Sequence, residues 1–320
     1  MAEPGRCVSG YRLEELQGDL GPTTAWRVTE LRRGVPLGMR ILAPEALPWA
    51  EAFRTAVTAQ RALIHPNRLQ VLDLIELDGA PAAITEHVAG PSLATWLRVR
   101  RRGLGEVIPV FEEVMRGVAA GHHQGLYQLA IDAGQIWMQS RRGMFVPKVD
   151  VSVGAVIAAA AADGRTLHAG RLPAPAPLDA RADLYLLGTL LYEMVTRRLP
   201  FDAHALASGP PRPPRLAEGP PELAELVERL LARKPTARPA SVDAVLALLA
   251  PEPTPDGHGL RPGPTLLPDL EGSQAGSRPG SLPEVAVPAR PPAPTPHPVV
   301  VATAVAVGLV AVGGLVAWLG

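Results

Sequence analysis

The chain has 320 residues, enough for one large domain or two small ones. Its 31 basic and 31 acidic residues cancel, which excludes the overall electrostatic footprint of a nucleic-acid binder. The single cysteine, Cys7, excludes an intrachain disulfide and a cysteine zinc site and fits a reducing compartment.

Residues 1–10 hold no apolar run and are expected to form a short tail without a secretory signal. From 11 to 250 apolar runs alternate with turn signals, as in a globular domain. The first hundred residues offer strand candidates at Arg12-Leu13, Trp26-Arg27-Val28, Met39-Arg40-Ile41-Leu42, Gln70-Val71-Leu72 and Ala83-Ile84-Thr85, with a helix over 50–63. Helical periodicity dominates afterwards, over 108–122, 182–196, 221–232 and 241–249. The expected class is therefore α+β, with strands first and helices after.

Residues 251–298 hold fourteen of the 36 prolines and few large apolar groups. Such a composition buries too little surface to offset its ordering entropy, so a semi-extended linker is expected. Pro291-Pro292-Ala293-Pro294 reads as a plain spacer or as a PxxP ligand. Residues 299–319 form an uncharged run of 21 residues, which at roughly 1.5 Å per residue spans about 30 Å, the thickness of a hydrocarbon core. A single-pass C-terminal transmembrane helix is expected, with Ala304 and Gly308 as a small-xxx-small pair. Arg290 favours a cytoplasmic position for the preceding domain. Only Gly320 follows the run, so no outer domain is expected.

Several segments in the globular part carry a resemblance. They are His65-Pro66-Asn67; Ile84-Thr85-Glu86-His87-Val88-Ala89-Gly90-Pro91-Ser92-Leu93; Asp179-Ala180-Arg181-Ala182-Asp183-Leu184-Tyr185-Leu186-Leu187-Gly188, running on to Leu199-Pro200-Phe201; and Lys234-Pro235-Thr236-Ala237-Arg238-Pro239. In this order they resemble the bacterial Hanks-type Ser/Thr protein kinases over the whole of 11–250. The resemblance implies a two-lobed fold with a small β-rich lobe and a larger helical one. It implies that Asp183 holds the backbone of the catalytic loop and that Glu86 and Val88 offer backbone groups to a purine.

At the chemical positions the chain departs from the family's pattern. The glycine-rich loop reads Gly18-Asp19-Leu20-Gly21-Pro22-Thr23, with side chains at two glycine positions and a proline that lacks an N–H. Gly18 and Gly21 remain as nucleotide-binding candidates. Arg40 stands at the position of the third-strand lysine, and a guanidinium is a wide fork where an ammonium is a point. Lys148 and Lys234 are the only lysines, so no small-lobe neighbour can take its place. Ala56 stands at the position of the glutamate that pairs with that lysine. The catalytic loop aligns as Gln128-Leu129-Ala130-Ile131-Asp132-Ala133-Gly134-Gln135, with Ala130 at the base position, where it cannot accept a proton. Gln135 and Asp150 are the metal candidates. Spacing prefers Val151-Ser152-Val153 for the DFG position; a one-residue deletion would put Asp150-Val151-Ser152 there. Trp137 stands at the floor of the adenine pocket, under Ala25 and Gly38. Its indole either fills the adenine space or turns away into ordinary core. Arg171, at the position of the glutamate that pairs with Arg238, would face it with like charge. Over 155–162 an alanine-rich run replaces much of the activation segment, leaving Ser152 and Thr166 as phosphorylatable groups. The adjacent His122 and His123 are expected at a helix end or in solvent rather than as a metal pair.

The resemblance together with these departures yields a first reading. It is a pseudokinase that binds protein partners at the membrane, with a cytoplasmic domain, no cofactor and no nucleic acid. The alternative is a divergent active Ser/Thr kinase using ATP and Mg²⁺, with Arg40, Asp132 and Asp150 in displaced roles. A third reading, a generic tail-anchored α+β protein, leaves the hinge and central-helix segments without a reason. Oligomeric state is open on all three.

Overall fold

The computed structural model describes residues 2–141, 143–167, 177–201 and 214–249. The fold lies in the first of the chain's two units, Met1–Pro255. The linker, the apolar run 299–319 and Arg171 fall outside the described residues.

Its first half is an antiparallel sheet of β1 (Cys7–Val8), β2 (Tyr11–Asp19), β3 (Thr23–Glu30), β4 (Val35–Leu42), β5 (Val71–Leu77) and β6 (Ala80–Thr85), in the order β1-β2-β3-β4-β6-β5. Helix α1 (Ala50–Arg61) lies between β4 and β5 in sequence. The first ten residues are more than a tail. Cys7–Val8 pairs with β2, the Gly5 N–H donates to the Leu13 carbonyl at 2.7 Å, and Arg6 pairs with Asp78 at 2.6 Å. The helical half holds α2 (Leu93–Val99), α3 (Leu104–His122), α5 (Ala180–Thr196), α6 (Pro221–Leu230) and α7 (Val242–Leu249). Between α3 and α5 come the hairpin β7 (Ile136–Arg141)–β8 (Met144–Val149) and helix α4 (Gly154–Ala162). Among the described residues no helix is long and apolar enough to cross a membrane.

Strand alternation decides what faces the cleft between the halves. On β3 and β4, Trp26, Val28, Met39 and Ile41 pack into one cluster with Leu13, Ala82 and Ile84. Ala25 and Leu42 point the other way, into a cluster with Ala83, Phe53 and Val57 of α1, and Val156 and Ala160 of α4. Arg40 lies between Met39 and Ile41 and so turns toward the cleft. On β7, Ile136 and Met138 join the helical core, while Trp137 turns into the cleft cluster. The same period of two therefore aims Arg40 and Trp137 at one space.

The helical half is organised by α5, whose residues are buried from Ala182 through Leu191. Asp179 caps its first turn, accepting from the Arg181 N–H at 2.8 Å. The helix closes at Arg197, which takes the left-handed conformation (φ 63°) and donates its N–H to the Glu193 carbonyl. Arg238 stacks over the Tyr185 ring at 5.0 Å and donates to the Arg181 and Ala232 carbonyls at 2.6 and 2.9 Å. Burial pushes the Tyr185 hydroxyl up to about 12, and burial also lowers the Arg238 guanidinium.

Candidate nucleotide cleft

At the centre of the cleft Arg40 and Asp150 form a buried ion pair. The Arg40 Nε donates to Asp150 Oδ1 at 2.8 Å and Oδ2 at 3.0 Å, and Nη2 donates to Oδ2 at 2.8 Å. The side chains are 3% and 2% exposed, so water screens neither. The Trp137 Nε1–H donates to Asp150 Oδ2 at 2.7 Å and the Val151 N–H to Oδ1 at 2.6 Å. The Arg40 guanidinium carbon lies 5.4 Å from the Trp137 ring centre. Both carboxylate oxygens are thus engaged by N–H donors, and a guanidinium holds the place beside them that a cation would need.

This pairing also settles the position after β8. Val149 pairs with Ile136 across the hairpin, so Asp150 is the first residue beyond the strand. It converges on Arg40, and its N–H donates to the Gln135 carbonyl at 3.2 Å. The register that puts Val151 at this position is corrected: Val151 is buried in the apolar cleft cluster.

The glycine-rich turn is tied to itself. The Gly21 N–H donates to Asp19 Oδ1 at 2.9 Å, the Leu20 N–H donates to the Thr23 carbonyl at 2.9 Å, and Pro22 has no N–H. Gly18 is paired with Ala25 in the β2–β3 ladder, and Gly21 takes φ +83°. The three residues of the turn, Leu20, Gly21 and Pro22, therefore present no free amide to a phosphate.

Trp137 lies in the cleft rather than in the helical core. It is 8% exposed and packs in one cluster with Ala25 above and Val88 at the lobe connection, with Leu20 against that cluster. Gly38 is required there. A Cβ would collide with Thr85 Oγ1 and come within 3.1 Å of the Glu86 carbonyl, which accepts the Thr85 hydroxyl at 3.1 Å. At the connection, the Glu86 N–H is bonded to the Gln70 carbonyl at 3.0 Å, and the Val88 carbonyl accepts from Gly90 at 3.1 Å. The Glu86 carboxylate turns to Lys148 Nζ at 2.6 Å and the Gln70 N–H at 2.9 Å. Lys148 is thereby buried against the connection and does not reach Asp150.

The catalytic-loop backbone hangs on α5. Asp183, fully buried, accepts the Gln128 and Leu129 N–H groups at 2.7 Å each. Its third partner is His122 Nε2 at 2.8 Å, so His122 stands at the end of α3 as expected and is held there, partly buried, against α5. His123 instead pairs with Asp243 on the surface. Leu129 has φ +52°, which costs strain for a residue with a side chain, and the two bonds from Asp183 hold it. Ala130 is 2% exposed, with a methyl group where a base would stand. Asp132 caps the following turn through the Gly134 N–H at 2.7 Å.

Ala56 of α1 is buried and offers nothing to Arg40. One turn on, Gln60 does the work that sequence reasoning missed. Its Oε1 accepts the Ser152 N–H at 2.8 Å and Arg68 Nη2 at 3.2 Å, and its Nε2 donates to the Ser152 carbonyl at 3.3 Å. Burial brings the Arg68 guanidinium down to about 10. Ser152 is 1% exposed and its hydroxyl donates to the Tyr127 carbonyl, so it is no phosphorylation target; Thr166 is exposed. Among the described residues no group of three or more His, Cys, Asp or Glu side chains could hold a metal ion.

No protein-family profile matches the chain. Serine/threonine-protein kinase Pkn3 of Myxococcus xanthus is 29% identical over 269 residues, covering 75% of this chain and 49% of Pkn3. Serine/threonine-protein kinase PknA of Mycobacterium tuberculosis is 27% identical over 296 residues, covering 82% of this chain and 68% of PknA. Its relatives are bacterial Hanks-type Ser/Thr protein kinases. A double-mutant form of the M. tuberculosis PknI kinase domain superposes with a TM-score of 0.62 at 20% identity, over 78% of this chain and 98% of that domain. The fold of the described residues is thus the two-lobed protein-kinase fold. The chain spans about half the length of Pkn3.

Proposed function

We propose that this kinase-like domain does not transfer phosphate and acts by binding other proteins, held at a membrane by the apolar segment 299–319. The observation that carries the reading is the Asp150 carboxylate. It takes donors from Arg40, Trp137 and the Val151 N–H and is 2% exposed, so a magnesium ion would have to displace a buried guanidinium. Phosphoryl transfer rests on charge neutralisation by metal and on a positioned base. Ala130 supplies no base, the glycine-rich turn supplies no free amide, and the Trp137 indole takes the purine's volume. What the chain retains, Asp183 and α5, holds the fold. ATP and Mg²⁺ therefore do not fit these residues, and no step is derived through them.

The names of the relatives favour a second reading, an active Ser/Thr kinase with Arg40, Asp132 and Asp150 in displaced roles. Incubation with labelled ATP and a generic acceptor protein, in Mg²⁺ or Mn²⁺, separates the two. No incorporation above a no-enzyme control is expected. Incorporation that disappears in Asp150→Ala would establish the kinase instead.

A further inference from the structure

The three residues after β8 are held in a way that the loss of nucleotide chemistry does not require. Every backbone polar group of Asp150, Val151 and Ser152 has a partner. The Asp150 N–H donates to the Gln135 carbonyl, and the Val151 N–H folds back to the Asp150 carboxylate. Gln128 Nε2 donates to the Asp150 carbonyl at 3.1 Å and the Val151 carbonyl at 3.4 Å. Gln60 takes both groups of Ser152, accepting its N–H at 2.8 Å and donating to its carbonyl at 3.3 Å. The two amide side chains come from different elements. Gln128 sits on the loop that Asp183 fixes to α5, and Gln60 sits on α1. They are 2% and 3% exposed, so water cannot substitute for either.

We infer that Gln60 and Gln128 form a clamp on Asp150–Ser152 that locks α1 to the helical half in one arrangement, with no bound nucleotide needed to set it. Gln60 is the half of the clamp that belongs to α1. Its carboxamide carries a donor and an acceptor on one planar group and so satisfies both the N–H and the carbonyl of Ser152. Ala56, one turn earlier on the same face, leaves α1 without an ion pair to Arg40, so Gln60 is the polar tie that replaces it. Arg68 braces the amide by donating Nη2 to Gln60 Oε1 and Nη1 to the Gly117 carbonyl of α3 at 3.2 Å. Helix α4, which follows directly, is pinned at its far end by Trp49 Nε1 on Asp163 at 2.7 Å. The clamp rests on the closed-cleft reading in one respect: it fixes the state in which Arg40 meets Asp150.

Hydrogen exchange on the full chain tests it, comparing wild type with Gln60→Leu and Gln60→Glu. Gln60→Leu keeps the volume and removes four hydrogen bonds, including the one to the Ala56 carbonyl. Amide exchange in 50–61 and 150–157 is expected to rise together by at least about tenfold, while 180–196 stays within about twofold. Gln60→Glu keeps both acceptor bonds and is expected to leave the Ser152 amide protected. It carries the test alone if the leucine variant fails to fold. An unchanged rate in both segments would overturn the clamp. So would a uniform rise across all three in Gln60→Leu, which would make Gln60 mere core, or an unprotected Ser152 amide in Gln60→Glu. Protection of 18–23 and 135–137 on adding Mg-ATP to wild type would count against the closed cleft alone, leaving the clamp to be judged by the variants.

Discussion

Arg40→Met is expected to lower the unfolding free energy by about 3–5 kcal/mol, because it strands the Asp150 carboxylate without its counter-ion in a dry site. The two side chains are 3% and 2% exposed, so neither can recover hydration without the cleft opening. For a domain of this size the loss corresponds to a fall in Tm of roughly 6–20 °C. The double variant Arg40→Met with Asp150→Leu is expected to recover much of it, since a buried ion pair often contributes no more than apolar residues of similar volume. Thermal unfolding of the single and double variants provides the cycle. A single variant within about 1 kcal/mol of wild type would mean that the pair is not formed in solution.

Asp183→Ala is expected to be nearly as severe, at about 3 kcal/mol or more, and to act at a different point. Its fully buried carboxylate accepts from the Gln128 and Leu129 N–H groups and from the partly buried His122. Removing it leaves three donors unsatisfied, each costing about 1–3 kcal/mol. It also removes the bond that helps hold Leu129 at its positive φ. Circular dichroism melts give the stability. Proteolysis within 125–135 ahead of the rest of the domain would locate the opening.

These two sites differ in how much of them could be read from the chain. Asp183 lies in a helix whose start, Asp179 to Gly188, carries a dense local pattern, and its role follows from the resemblance that pattern supports. The position of Arg40 could be read as well, from the strand Met39-Arg40-Ile41-Leu42. What it touches could not, since its partner stands 110 residues away. A separation of 92 residues likewise hid the Gln60–Ser152 tie, and glutamine carries no positional signature of its own. The only clue was negative: Ala56 left α1 with no polar group at the expected place, which raises the question of what replaces it. The register at Asp150 needed the strand pairing of β7 with β8 and the contact with Arg40, neither of which local sequence shows. His122 stands at a helix end as its position suggested, but adjacency in sequence said nothing of its carboxylate partner on α5. Trp137 was half legible: its size at a floor position left open whether it enters the cleft or turns into ordinary core, and its place in the cleft cluster and its hydrogen bond to Asp150 came only from the fold.

The filled cleft connects these observations. Arg40 and Trp137 both donate to the buried Asp150 carboxylate, and in the proposed reading the three take the volume and charge of a nucleotide and its metal, with the clamp from Gln60 and Gln128 holding the arrangement without them. A titration of the full chain with Mg-ATP, followed by thermal unfolding, tests this most directly. A nucleotide bound with a dissociation constant one hundredth of its concentration would stabilise the domain by about 2.7 kcal/mol, raising Tm by roughly 5–11 °C. No rise in Tm up to millimolar Mg-ATP is the expected result. A rise of several degrees that saturates below millimolar nucleotide would contradict the closed cleft.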